Sequence, residues 1–107
     1  MRFRHLCIVA RDALALAEFY GAVFHCRTRS PARWLEGSQI GAGVGLPGAR
    51  ILSIWLSMPG CDVPFLELHQ YDPPHRHGLR PPNAPGLAHL SFEVDDLNAV
   101  RAQVPAH

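Results

Sequence analysis

Alternation of apolar and polar residues predicts four clear strands, at 3–9, 49–58, 63–71 and 87–94, and a weaker one at 24–30. Two other segments, 12–24 and 95–104, carry apolar residues at helical spacing. Asp12 before the first helix, and Asp95 or Asp96 before the second, are natural N-caps. The strands at 49–58 and 63–71 are separated only by "PGCD", so we expect them to pair as a hairpin.

Two stretches rich in glycine or proline interrupt these elements. Residues 30–48 contain five glycines and two prolines, which predicts a long, partly irregular connection. Residues 72–85 contain five prolines, which excludes helix and sheet interior and indicates a linker or surface loop. His75 and His77 lie in this loop, where solvation is the better interpretation than metal binding.

The two ends of the chain repeat one pattern, a His-Leu strand followed by an aspartate-capped helix. The aligned positions are His5 with His89, Leu6 with Leu90, Ile8 with Phe92, and Asp12 with Asp96. We therefore expect a single domain, 1–107, with a first module at 1–72, a proline-rich linker at 73–85 and an incomplete second module at 86–107.

Composition narrows the class of protein. The chain has 107 residues, 48% apolar and 18% charged, with a net charge of +1, which is typical of one globular domain rather than a nucleic-acid-binding one. Three cysteines without a C-x-x-C pair indicate neither a disulfide framework nor a cysteine zinc site, and favour a cytoplasmic setting. No apolar run has the length of a signal peptide or membrane span, so we expect no membrane partner.

Candidate chemistry lies on one face of the predicted strands. Successive strand side chains point to opposite faces, and on this basis His5, Glu67 and His89 each fall on the more polar face of their strand. Taken singly, each is more simply a hydrogen-bonded or solvated strand residue. Together, two imidazoles and a carboxylate from separate strands suit a divalent ion such as Zn, Mn, Fe, Co or Ni. His69, on the same face as Glu67, is the next candidate.

Three stretches resemble the vicinal oxygen chelate superfamily, which includes glyoxalase I, methylmalonyl-CoA epimerase, extradiol dioxygenases and bleomycin resistance proteins. They are "HLCIVARDALALAEFYGAVF", "LPGARILSIWLSMPGCDVPFLELHQYDPP" and "APGLAHLSFEVDDLNAV", and they cover about two thirds of the chain. The resemblance implies an α+β fold, with a complete βαβββ module, the first strand and helix of a second, and a mixed sheet curved around a cavity. It also implies His5, Glu67 and His89 as metal ligands. The fourth ligand of the family, a glutamate in the second module, has no counterpart here.

The resemblance further implies a function. It suggests a divalent-metal-dependent lyase or isomerase that acts on a small molecule with vicinal oxygens, in which a base removes a proton. Glu93 and His69 face the right way for that base, but neither matches a family catalytic position. One alternative is a non-catalytic binding or resistance protein with Trp34 and Trp55 in the pocket wall, and a second is an extradiol-type dioxygenase. Because modules of this family also pair between chains, we expect a homodimer.

Overall fold

A computed structural model describes residues 1–76 and 78–105 and shows one mixed sheet with three helices. The elements in chain order are β1 (His5–Val9), α1 (Ala13–Phe24), β2 (Arg27–Leu35), α2 (Ser38–Val44), β3 (Arg50–Ser57), β4 (Phe65–Asp72) and α3 (Leu97–Gln103). The sheet order is β1-β4-β3-β2, with β1 parallel to β4 and the other pairs antiparallel. The α+β class and the hairpin are thus confirmed, while His77 in the linker lies outside the described residues. No helix within the described ranges is long and apolar enough to cross a membrane.

The core lies on one face of the sheet. Four side chains of β3 and β4 at the centre of this face are buried to 2% exposure or less, and α1 packs over them. The buried cluster consists of Ala13, Cys26, Ile54, Leu56, Leu66 and Leu68. The opposite face of the same strands carries polar side chains together with the buried Ile51 and Phe65.

Helix α1 begins and ends with the local signals expected of its sequence. Asp12 has extended backbone geometry, and its carboxylate accepts a hydrogen bond from the backbone N–H of Ala15 at 3.0 Å. At the other end His25 takes the left-handed conformation, and the C-cap N–H bonds to the carbonyl of Tyr20. Asp96 caps α3 in the same way, through the N–H of Ala99.

We expect Asp12→Ala to lower the free energy of unfolding by about 0.5–2 kcal/mol, because α1 loses its N-cap acceptor. Asp12→Asn keeps a side-chain oxygen at the same place and should lose much less. Urea unfolding followed by far-ultraviolet circular dichroism measures both variants. Equal stability of Asp12→Ala and the wild-type protein would contradict the capping role.

The predicted irregular connection at 30–48 is more ordered than expected. Strand β2 runs to Leu35, and α2 occupies Ser38–Val44 despite its glycines. One of these glycines, Gly41, is required by close packing. A Cβ at this position would lie 2.9 Å from both the nitrogen of Gly48 and the carbonyl oxygen of Leu46. A side chain at 41 would therefore push the following loop off the helix.

The strand predicted at 87–94 is not formed, which corrects that part of the sequence interpretation. A strand requires a hydrogen-bonded neighbour, and among the described residues no backbone hydrogen bond joins this segment to β1. The segment is held by side chains instead. Phe92 stacks on Phe24 with ring centroids 4.1 Å apart, Leu90 packs on the core, and the Arg80 guanidinium donates to the carbonyl of Leu87.

Candidate metal centre

Polar side chains gather on the sheet face opposite α1. The strand register places Cys7 and Trp55 on either side of Glu67, so that three strands contribute to one row. The next row on this face places Ser53 beside His69. The alternation of side chains within each strand brings these two rows to the same surface.

The carboxylate of Glu67 is the centre of this group, and its side chain is only 14% exposed. Its Oε2 accepts hydrogen bonds from Ser53 Oγ at 3.1 Å and from Trp55 Nε1 at 2.5 Å. Its Oε1 lies 3.2 Å from His69 Nε2 and 3.9 Å from His5 Nε2. One oxygen is therefore anchored by the sheet, while the other faces two imidazoles.

His69 carries a buried nitrogen that has no hydrogen-bond partner within residues 1–76 and 78–105. Its Nε2 is close to Glu67 Oε1, but the geometry does not meet that of a hydrogen bond. Such unpaired buried polar atoms are uncommon in folded proteins, because losing water without a replacement costs about 1–3 kcal/mol. We therefore expect a further partner for His69 Nε2, and a cation between this nitrogen and the Glu67 carboxylate would be one.

Cys7 adds a sulfur atom beside Glu67 and His69. Its Sγ, a carboxylate oxygen of Glu67 and a ring nitrogen of His69 all lie within 4.8 Å of one another. Burial, followed by the charge of Glu67 and a hydrogen bond to it, raises the pKa of the Cys7 thiol to about 11. Without a bound cation the sulfur is therefore a neutral thiol at physiological pH, which argues against a role as nucleophile.

Aromatic packing holds the His5 ring, which lies at the edge of this polar group. The His5 ring stacks on Phe65 with centroids 5.0 Å apart, and Trp55 lies 4.8 Å from the same ring. The guanidinium of Arg29 lies over Phe65 at 4.5 Å from the centroid. His5 is 46% exposed, so it contacts both this packed ring and solvent.

The structure brings together two of the three predicted ligands. His5 and Glu67 approach to 3.9 Å, whereas His89 is exposed and lies outside the cysteine, glutamate and histidine group found within the described residues. His89 lines a cavity of about 520 Å³ that Cys7 also borders, in which residues 7–9 face residues 87–90. The set of His5, Glu67 and His89 stays a prediction.

A larger cavity of about 730 Å³ opens at the end of β1 and β4, within the size range of small-molecule sites. Val9, Leu46 and Leu79 give it apolar walls, and Arg11 and Tyr71 add polar groups. Tyr71 connects it to the polar face, because its ring lies 6.4 Å from that of His69.

Ser53 and Trp55 were not identified from the sequence as partners of Glu67. Both donate to Glu67, and this role becomes visible only when the register of the hairpin is known. Trp34, considered as a pocket wall, instead lies beneath the Arg50 guanidinium at 4.3 Å.

Comparison with known proteins supports the fold. No family model and no curated protein matches the sequence. The structure is similar to the crystal structure of a glyoxalase family protein from Bacillus cereus, with a TM-score of 0.82 and 21% sequence identity. The match covers 95% of this chain and 68% of that protein. The chain therefore has a glyoxalase-type fold, in agreement with the resemblance of its sequence to the vicinal oxygen chelate superfamily.

Proposed function

We propose that this chain is a glyoxalase-like protein that binds a divalent metal ion on its polar sheet face. We further propose that it acts as a lyase or isomerase on a small molecule with vicinal oxygens. The observation that carries the proposal is the Glu67 carboxylate, anchored through Oε2 and facing the nitrogens of His5 and His69 through Oε1. His5, Glu67 and His89 are the ligands that the resemblance implies.

The surroundings of Glu67 suit metal binding. Carboxylate ligands of metals are themselves commonly held by hydrogen bonds, which fix the direction of the free oxygen. Trp55 and Ser53 perform this task here, from the strand next to Glu67. When bound, the ion would act as a Lewis acid that polarises substrate oxygens.

The cavity at the end of β1 and β4 is the proposed substrate site. Its apolar walls would remove water from the carbon skeleton of a ligand, and Arg11 would attract an anionic group. Tyr71 lines this cavity and its ring lies 6.4 Å from that of His69, so one wall of the cavity contacts a residue of the metal group.

A metal titration tests the proposal. We expect Zn²⁺ or Co²⁺ to bind to the wild-type protein, and His5→Ala to weaken binding by at least about tenfold, as loss of a group that holds the ion does. His25→Asn is the matched control, because His25 is an exposed histidine with left-handed backbone geometry that asparagine tolerates. A wild-type protein that binds no divalent ion in calorimetry would refute the proposal.

The second candidate is a binding protein without turnover. It is favoured by the position of the 730 Å³ cavity, since Cys7, Glu67 and His69 are not among the residues that line it. On this account a chelator would leave ligand binding unchanged, whereas the enzymatic proposal predicts that metal removal abolishes turnover.

The proposal includes a homodimer. Strand β1 forms one edge of the sheet, and its outer edge has no hydrogen-bonded strand among residues 1–76 and 78–105. An uncovered strand edge favours association with another chain.

A further inference from the structure

We infer that the ion is held by Cys7 and His69 together with Glu67, in a site of mixed sulfur, nitrogen and oxygen donors that does not need His89. The inference rests on the proposed function, because it concerns the ligands of the same metal centre. It retains Glu67 and replaces the two histidines implied by the resemblance, His5 and His89, with Cys7 and His69.

All three donors stand on paired strands of one sheet. Cys7 lies directly opposite Glu67 in the parallel pairing of β1 with β4, and His69 is two residues beyond Glu67 on the same face. Donors on adjacent hydrogen-bonded strands are held in place by the backbone ladder. His89, in contrast, lies in a segment without backbone hydrogen bonds to the sheet among the described residues.

The separations are close to those that a metal requires. Metal–ligand bonds of about 2.0–2.3 Å in a tetrahedral site place neighbouring donor atoms about 3.3–3.8 Å apart. His69 Nε2 is 3.2 Å from Glu67 Oε1, and all three donor atoms lie within 4.8 Å. His5 Nε2, 3.9 Å from the same oxygen, is the nearest additional nitrogen.

The Nε2 atom of His69 gives an independent indication that a cation binds here. Its Nε2 is buried beside a carboxylate and accepts or donates no hydrogen bond among the residues that the structure describes, and its side chain is only 16% exposed. A neutral imidazole presents a lone pair at one nitrogen, and a cation shared with Glu67 would satisfy that lone pair and the carboxylate together.

The donor set selects a class of metal. Thiolate and imidazole favour Zn²⁺ and Co²⁺, whereas Mg²⁺, Ca²⁺ and Mn²⁺ prefer oxygen ligands. The sulfur binds as thiolate, so one proton leaves the thiol for solvent as the ion binds. We therefore expect Co²⁺ and Zn²⁺ to compete for the site, and Mg²⁺ not to displace them.

Cobalt absorption tests the sulfur ligand directly. Co²⁺ added to the wild-type protein should produce a near-ultraviolet charge-transfer band from sulfur to cobalt. Cys7→Ser should abolish this band, while Cys61→Ser, which changes a second exposed cysteine that is not part of the ligand group, should retain it. His69→Ala should weaken Co²⁺ binding by at least about tenfold, and His89→Ala should leave the affinity unchanged. Circular dichroism of each variant confirms that the fold is retained.

Two results would overturn the inference in distinguishable ways. A band that persists in Cys7→Ser, or metal affinity that depends on His89 and not on His69, would refute these ligands and leave the proposed function standing. A wild-type protein that binds no Co²⁺ would refute both.

Discussion

Replacing Glu67 with glutamine is expected to weaken Zn²⁺ or Co²⁺ binding by more than about 100-fold, beyond the effect usual for an outer-shell group. Glutamine keeps the shape of the side chain, and its oxygen can still accept from Ser53 and Trp55. Its amide nitrogen then faces His69, where it can donate to the unpaired ring nitrogen. The fold should therefore survive while the anionic ligand is lost. Isothermal titration calorimetry measures the affinity.

Trp55→Phe tests the same prediction with a smaller expected loss of metal affinity. It removes the indole N–H that holds Oε2 of Glu67 but keeps an aromatic ring beside Phe65. Outer-shell changes typically cost about 10–100-fold in metal affinity, so this variant should fall between the wild-type protein and Glu67→Gln. Unchanged binding in Glu67→Gln would remove the carboxylate from the proposed centre.

Leu68→Ala is expected to lower the free energy of unfolding by about 2–5 kcal/mol, which is the range for truncating a fully buried leucine. Leu68 is 0% exposed, and the register places it between Ile8 of β1 and Ile54 of β3, beneath α1. The cavity left by alanine would be bordered by three elements that cannot all close on it. Urea unfolding monitored by tryptophan fluorescence gives the value.

Leu14→Ala is the matched control, because it makes the same chemical change on α1 at a position that is 54% exposed. We expect a change within about 0.5 kcal/mol. Equal losses in the two leucine variants would show that the apolar face beneath α1 does not dominate stability.

Elements specified by short-range signals were predictable from sequence. Asp12 and Asp96 cap the helices that follow them, and the β3–β4 hairpin follows from two apolar runs around a short turn. These features depend on residues only a few positions apart, so one sequence contains the information that decides them.

Other features depend on tertiary contacts that a pattern does not contain. Helix α2 forms from a glycine-rich stretch because the loop after it packs against Gly41. The alternating pattern at 87–94 indicated a strand, but Leu90 and Phe92 pack on the core and α1, and in the described part of the chain no strand is hydrogen-bonded to this segment. Periodicity identifies the inward-facing residues in such a segment, and it does not show whether a ladder partner is present.

For the same reason, the sequence predicted only part of the candidate site. Strand alternation grouped His5, Glu67 and His89, with His69 as the next candidate; in the structure His5 and His69 approach Glu67, and the full set stays a prediction. The row of Cys7, Glu67 and Trp55 depends on the register between three strands, two of them far apart in sequence. Register is set by the packed sheet as a whole, so the sulfur donor and the indole donor emerged only from the structure.

The central claim is that a divalent ion binds beside Glu67 on the polar face of β1 and β4. Anomalous diffraction from crystals of the full chain grown with Zn²⁺ tests it most directly, because it locates the ion without reference to activity. We predict an anomalous difference peak in contact with the Glu67 carboxylate and with the Cys7 and His69 side chains. A peak elsewhere, or none at saturating Zn²⁺, would contradict the account.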